Sequence, residues 1–467
     1  MSYRYGNREQ IELLPRSISE YVGVDDPVRA YDAFVDVLDF EQLGIEEDPD
    51  RVGNTQYDPR AMVKLFVYGY SYSSDRSSRK LERALYHNNS FIWLMGGLKP
   101  DHKTIARFRS DNKEALEKIL CQSARMCLKI GLIKGNTLFI DGTRIRANAS
   151  MDKTWNKARC ERALKKADEK IRSILQETEL LDNEEVSDSS LVKMEHELVE
   201  QKALKNRIIT ILNELNTEAR KSINTTDNDC VLTKSTHGSY AGFNAQIAAD
   251  EKNGLIASCD VVAASNDLGL LSEQIEKATK TLEKKCETAV ADAGYSALED
   301  IAAIPEDINV LVPVIRKTDA GFIYDDKSDT YTCPEGNLLP RFSINNMKRC
   351  WQYRVTDEKL CQQCTRFGTC TTSEKGKTFR RSYYENTSRR VLDTMRKDQS
   401  KQKYNLRGQK VELPFGYMRR TLGVSSFLLR GLKGVKAEFS LYSTAFNLRR
   451  MITLLGGVQP FIRAMGA

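Results

Sequence analysis

Two aspartates share a setting that suits catalysis. Asp141 closes the apolar run LFID (138–141) and Asp292 closes AVAD (289–292), and a glycine follows each within two residues. An Asp-Gly pair alone is a common turn signal, but two such acids at the ends of two short apolar strands point further. If those strands lie side by side at the centre of one sheet, the carboxylates meet at one edge and repel each other. A divalent cation removes that repulsion, and an all-oxygen ligand set suits Mg2+ or Mn2+. Two such ions about 3.5–4 Å apart can activate an attacking oxygen and stabilise a leaving one in phosphoryl transfer. Such a site wants a third acid. Glu412 offers one within YNLRGQKVELPFGYMRRTLG (404–423), flanked by Tyr404, Arg407 and Arg419. Arg419 follows Glu412 by about two helical turns and shares its face, so a metal-binding acid and a phosphate-gripping guanidinium can form one wall. Glu438 is the competing glutamate, and there Lys433 and Lys436 could simply pair with it along a helix.

The chain around these acids reads as a mixed α/β fold. From Asp58-Pro59, with Asp as N-cap and Pro in the first turn, helical periodicity runs through DPRAMVKLFVYGYSY, SSRKLERALYHNNSFIWLMG and KPDHKTIARFRSDN into KEALEKILCQ. This predicts a helical bundle whose basic residues, among them Lys103 and Arg107, could face DNA. Strand character begins at 137–147. Two long helices rich in Glu, Lys, Leu and Ala fill 151–225, separated by DNEEVSD, as in a coiled-coil-like hairpin. GFNAQIAAD (242–250) and GLIASCDVV (254–262) alternate around the turn EKN as an antiparallel hairpin. An amphipathic helix (DLGLLSEQIEKATKTLEKK), the Asp292 strand and the strand INVLVPVI (308–315) follow. Together they predict a mixed sheet flanked by helices.

Charge points to the partner. The net charge is +7, yet residues 371–467 hold 20 Lys and Arg against 6 Asp and Glu. A local excess of +14 suits a polyanion, most simply nucleic acid.

In this order the motifs resemble the DDE transposases of bacterial insertion sequences. FIDGTRIRANAS is similar to their first-Asp strand, GFNAQIAADEKNGLIASCDVV to the hairpin after it and AVADAGY to their second-Asp strand. YNLRGQKVELPFGYMRRTLG resembles their Tyr-Arg-Glu-Lys signature, with Arg419 where lysine is common. LKPDHKTIARFR is similar to the N-terminal domain of this subgroup, and AEFSLYSTAFNLRRM to its closing helix. The resemblance implies a ribonuclease-H-like core, Mg2+-dependent cutting at transposon inverted repeats and joining to target DNA, with the protein acting as a homo-oligomer on DNA. It implies that Asp141, Asp292 and Glu412 bind the metal and that Tyr404, Arg407 and Arg419 contact the DNA backbone; Lys433, Lys436, Lys103 and Arg107 join them as expected DNA contacts. The alternative is a catalytically silent DNA-binding descendant. The expected division is a helical DNA-binding domain over 1–130, a catalytic core over 131–150, 226–320 and 395–455, a helical insertion over 151–225 and a Cys-rich insertion over 321–394.

Five of eleven cysteines fall between 333 and 370. Cys361 and Cys364 have the spacing of a metal knuckle, and with Cys333 and Cys370 they could hold a structural Zn2+, leaving Cys350 as an apolar contact. His237 reads as a loop residue. Tyr295, just after Asp292, could likewise be a loop residue or approach the metals, whereas Trp351 and the aromatic residues of 379–384 read as packing or base-stacking groups. No apolar run reaches the ~20 residues that span a bilayer, and MSYRYGNREQ lacks the apolar segment of a signal peptide. The expectation is therefore a cytoplasmic, nucleoid-associated protein without a membrane partner, its cysteines reduced or metal-bound.

Overall fold

The computed structural model describes residues 17–47, 56–72, 76–181, 188–217, 220–235, 238–314 and 321–466. Among the described residues the main helices before the sheet are α1 Pro27–Asp36, α2 Pro59–Tyr72, α3 Ser78–His87, α4 Asn89–Leu94, α5 His102–Asp111 and α6 Lys113–Lys129, with a single turn of helix at Phe40–Leu43. Side-chain caps set several of the starts. Asp26 accepts from Val28 N ahead of Pro27, and Asp101 accepts from Thr104 N, each satisfying an orphan amide of the first turn. The third predicted helix is two, because the path breaks at Asn112.

The central sheet follows. Its strands are β1 Thr137–Arg146, β2 Val231–Ser235, β3 Gly238–Asp250, β4 Ile256–Val262, β5 Thr288–Val290 and β6 Asn309–Leu311, in the spatial order β2–β3–β1–β5–β6. β2 and β4 take successive stretches of the outer edge of β3. β3 runs antiparallel to β1, whereas β5 and β6 run parallel to it. Leu138 and Ile140 of β1 enter the large core shared with the N-terminal helices, while Phe139 points to the opposite face. β1 is therefore buried on both faces, which explains its unbroken apolar run. Contrary to expectation, Asp141 does not end the strand. β1 continues five residues further to Arg146, paired with β3 throughout, and Asp141 lies opposite Ile247.

Two insertions leave this sheet. One is the helical hairpin α7 Lys157–Leu181 and α8 Asp188–Thr217, with cross-helix pairs Lys170–Glu197 and Lys205–Asp168. Its separating sequence, 182–187, and His237 lie outside the described residues. Thr154–Trp155 pairs with Ile223–Asn224 at the root of the hairpin. The helix α9 Leu271–Leu282 and the short α10 Leu298–Ala303 flank β5 in sequence. The Cys-rich segment is an antiparallel five-stranded sheet, β7 Ile323–Asp325, β8 Thr330–Thr332, β9 Leu338–Asn345, β10 Cys350–Tyr353 and β11 Phe379–Ser382. It carries its own core of Phe322, Tyr331, Leu339, Tyr353 and Val355. Phe379 packs against that core and Trp351 tilts against Tyr383, with ring centroids 4.6 Å apart. These aromatic residues pack the lobe.

Five helices close the chain: α11 Glu385–Arg396, α12 Asp398–Asn405, α13 Arg407–Arg420, α14 Leu432–Leu455 and α15 Val458–Met465. Two expected boundaries shift. α11 packs on β6 and α10 of the main body, so the lobe ends before it rather than at 394. One continuous hydrophobic cluster joins α1–α6 to the sheet and α14, so no packing seam falls at residue 130.

α14 is buried almost all round, and it carries a buried acid. Glu438 is 0% exposed. Its carboxylate accepts from Leu428 N and Leu429 N, both at 2.9 Å, and from the Tyr442 hydroxyl at 2.8 Å. Lys433 and Lys436 do not pair with it; they meet Glu114 and Asp260 instead. Glu438 thus ties the 424–431 loop to α14. Replacing it with alanine leaves two amides and a buried hydroxyl without their acceptor. The expected cost is about 2–4 kcal/mol, read as a lowered denaturation midpoint, with Glu412→Gln melting like the wild type; equal midpoints for Glu438→Ala and wild type would contradict this role.

Candidate active site

β1 and β5 bring the two aspartates together. Their parallel register matches Thr137 to Thr288, Leu138 to Ala289 and Phe139 to Val290. The same offset carried two residues further sets Asp141 level with Asp292. Side chains at level positions on neighbouring strands point to the same face, with strands about 4.8 Å apart. Below them on that face lies a small cluster, Phe139, Val290, Leu311 and Val411, all essentially unexposed. Val411 belongs to α13, so the cluster seats that helix beside the acids. Glu412, the next residue, is exposed. Asp141, Gly142 and Thr143 of β1 and Gln409, Glu412, Phe415 and Arg419 of α13 line one open cleft.

Asp141 is the electrostatic centre. Burial pushes its carboxyl up to about 6, with further upward pressure from the nearby Asp292 and Asp267 carboxylates. Arg407, the first residue of α13, opposes this with Nη1 3.3 Å from Asp141 Oδ2, and Gly142 N donates to Oδ1 at 2.9 Å. Asp292 caps a short turn by accepting from Gly294 N at 2.7 Å.

Asp267 is the residue that the sequence reading missed. It is 8% exposed and reaches the site from the other face of the sheet. Asn244 and Gln246 of β3 each donate to its Oδ1 at 2.8 Å, and Arg144 donates to Oδ2 at 2.9 Å. Gly142 lies opposite Gln246, and Arg144 opposite Asn244, across the β1–β3 ladder. The Tyr295 hydroxyl, buried behind the acids, donates to Gln246 Oε1. Gly142 is required here by space rather than by a turn: a Cβ would stand 2.5 Å from Asp267 Oδ1 and 2.9 Å from Asn244 Oδ1. Asp267 lies in the unremarkable polar run ASND after β4, whose only signal is its acid.

The expected DNA contacts divide. Arg419 donates to Thr143 Oγ1 at the cleft. Arg407 engages Asp141, and the Tyr404 ring packs on the Phe139 cluster. Lys436 is partly exposed, and its ammonium lies 2.8 Å from Asp260, a buried carboxylate that Lys277 also pairs. Lys433 is exposed beside Glu114. Lys103 and Arg107 project outward from α5. In the lobe, Cys333, Cys361, Cys364 and Cys370 line one small cavity, and Cys350 is buried on β10 without lining it. Among the described residues no three Cys, His, Asp or Glu side chains converge closely enough to enclose an ion.

The raised Asp141 carboxyl fixes the sign of a pH effect. Between about pH 4, where an unfolded aspartate ionises, and about 6, where this one does, the folded state keeps a proton that the unfolded chain has lost. Stability therefore falls as pH rises through that window, by up to about 3 kcal/mol. Asp141→Asn removes this penalty. Without added divalent cation it should melt several degrees above the wild type at about pH 8 and level with it near pH 4. Equal melting at the higher pH would show that the carboxylate is not destabilising.

Two family models match parts of the chain. The model described as "Transposase DDE domain" matches residues 332–452, and the model described as "Transposase domain (DUF772)" matches residues 16–111. No curated protein matches the chain. A solved structure described as a piggyBac transposase synaptic complex with hairpin DNA aligns over 95% of this chain and 79% of its own, at 9% identity and a TM-score of 0.32, a likeness too loose to carry argument. A transposase domain model over its N-terminal helices and a transposase DDE domain model over its C-terminal part are together consistent with an insertion-sequence DDE transposase.

Proposed function

We propose that the protein cuts DNA at transposon ends and joins those ends to target DNA through divalent-cation-dependent phosphoryl transfer. The observation that carries this reading is Asp141 and Asp292, each two residues beyond a paired position of adjacent parallel strands, with Asp141 and Glu412 lining one cleft. The strand order, with an antiparallel hairpin on one side of β1 and two parallel strands on the other, supports a ribonuclease-H-like core. Burial, with smaller contributions from the nearby Asp292 and Asp267 carboxylates, holds the Asp141 carboxyl up to about 6, and a divalent cation beside it would favour its charged form. Asp141, Asp292 and Glu412 would hold it, and their oxygen donors suit Mg2+ or Mn2+. When bound, the metal supplies Lewis-acid stabilisation of the attacking and leaving oxygens. The chain's own groups orient the DNA: Arg419 stands at the cleft to grip a phosphate bidentately, and Asp267 with its donors holds β1 and the Asp292 turn in register.

The four thiols of the lobe support a second metal proposal, one structural Zn2+. They face one cavity, and Arg366 N donates to Cys364 Sγ at 3.4 Å, a contact that stabilises a thiolate.

Two measurements test these readings. Asp141→Asn, Asp292→Asn and Glu412→Gln should each lower Mg2+-dependent cutting of labelled transposon-end DNA by about a hundredfold or more while DNA binding persists. A Glu412→Gln protein that cuts normally, beside an inactive but folded Asp267→Asn protein, would transfer the third position to Asp267. Protein purified without chelators should hold about one zinc per chain, and Cys361→Ser with Cys364→Ser should release it; a zinc content near zero in the wild type would end that proposal.

A further inference from the structure

The active-site cleft does not stop at the acids. Thr143, Phe415 and Arg419 also line a second cavity, reached through Arg144, Ile145 and Arg146. Arg146 and Tyr240 line both this and a third, which ends against Ser150 and Ser426. The three cavities share lining residues and form one trough that follows β1 from Asp141 to its end at Arg146, about 17 Å at the rise of a strand, and continues past the turn to Ser150.

The trough exists because β1 loses a neighbour. β5 pairs with it only as far as Phe139, and the next contact on that edge is the bridge from Arg146 to Ser426. Among the described residues, nothing pairs with 140–145 along that edge. α13 supplies the facing wall through Phe415, Met418 and Arg419.

Its chemistry changes along its length. Arg146, Arg419 and Arg420 have no carboxylate partner among the described residues, so three guanidinium groups are available for phosphates. At the far end the Arg146 guanidinium lies 5.1 Å from the centre of the Tyr240 ring. Tyr240 also lies close over Gly242, where a Cβ would stand 2.9 Å from the ring edge, so the glycine makes room for the ring. A half-exposed tyrosine beside unpaired guanidinium groups is a stacking platform for an unpaired base. The bases of a duplex are already stacked on each other and gain nothing from such a ring.

We infer that the trough along β1 binds a single DNA strand, its backbone tracked by Arg419, Arg420 and Arg146 and one base stacked on Tyr240. This rests on the proposed transposase chemistry for its substrate class and adds where an unpaired strand leaves the cutting site.

The test uses the full chain in EDTA, so that cutting plays no part. Fluorescence anisotropy is recorded with a labelled oligothymidylate of about 12 nucleotides, within the usual single-strand site size, and with a labelled duplex of random sequence. Tyr240→Ala should weaken oligothymidylate binding by roughly tenfold and leave duplex binding as in the wild type; Tyr240→Phe should keep both. Arg146→Gln should weaken the oligothymidylate and flatten its salt dependence. Thermal melts of each variant confirm folding. Oligothymidylate binding by folded Tyr240→Ala equal to wild type, or a parallel loss of duplex binding, would overturn the inference. Wild-type protein that cuts transposon ends but does not bind oligothymidylate defeats the trough alone, whereas binding without any metal-dependent cutting defeats the proposed reaction alone.

Discussion

The contact on which the active site depends is apolar. Phe139, Val290, Leu311 and Val411 meet on one face of the sheet, and the three proposed metal ligands stand one or two residues away from three of them. Phe139 and Val290 each lie two positions before an aspartate, and Val411 directly precedes Glu412. Burial of four such side chains contributes several kcal/mol, and it places carboxylates that would otherwise repel one another. α13 has weak amphipathicity of its own, carries Pro414 inside it and exposes much of its length. Its position comes from this docking rather than from helix propensity, in keeping with the rule that tertiary packing supplies most helical stability.

Opposing charge arrangements hold the two sides of the acid cluster. On the α13 side, Arg407 at the helix start faces Asp141, where the helix N-terminus also favours an anion. On the other side, Asp267 takes three donors from β1 and β3 and needs no metal to be satisfied. Asp267 is thus a satisfied acid, whereas Asp141 is an under-neutralised one. The distinction separates a carboxylate that shapes the site from one available to a cation. Arg144, three residues after Asp141, serves Asp267 rather than the acid near it in sequence.

Sequence periodicity revealed the hairpin insertion, the β3–β4 hairpin, α9 and the order of the acid strands, because each depends on local alternation or helical spacing. The strand range 137–147 matches β1, but the reading of Asp141 as a strand end does not. An Asp-Gly pair looks like a turn unless the partner strand is known, and here β3 pairs with β1 past both residues. Asp267 was not visible, because its importance comes from residues more than twenty positions away that converge only in the fold. Lys436 looked like a surface cation, yet Asp260 lies beside it from a strand far away in sequence. Glu438 and Glu412 sit in similar basic, helical text; three hydrogen-bond donors around one and open cleft around the other tell them apart. Pattern marks which residues are buried, but partners across the chain decide what a polar residue does.

The hairpin helices leave and rejoin the sheet at one point, where Thr154–Trp155 and Ile223–Asn224 lie paired. Asn224 fastens that root by donating to Ser150 O and to Thr154 Oγ1, both at 2.8 Å, and Cys160, Ile208, Ile211, Leu215 and Ile223 give the hairpin a core separate from that of the sheet. To the sheet the whole excursion is topologically a loop with a clamped neck. The entropy of closing such a loop grows only slowly with its length, so the arm can lengthen, shorten or be exchanged for another module without moving β1. The fold thus keeps its chemistry and its reach on separate parts of the chain, free to diverge at different speeds.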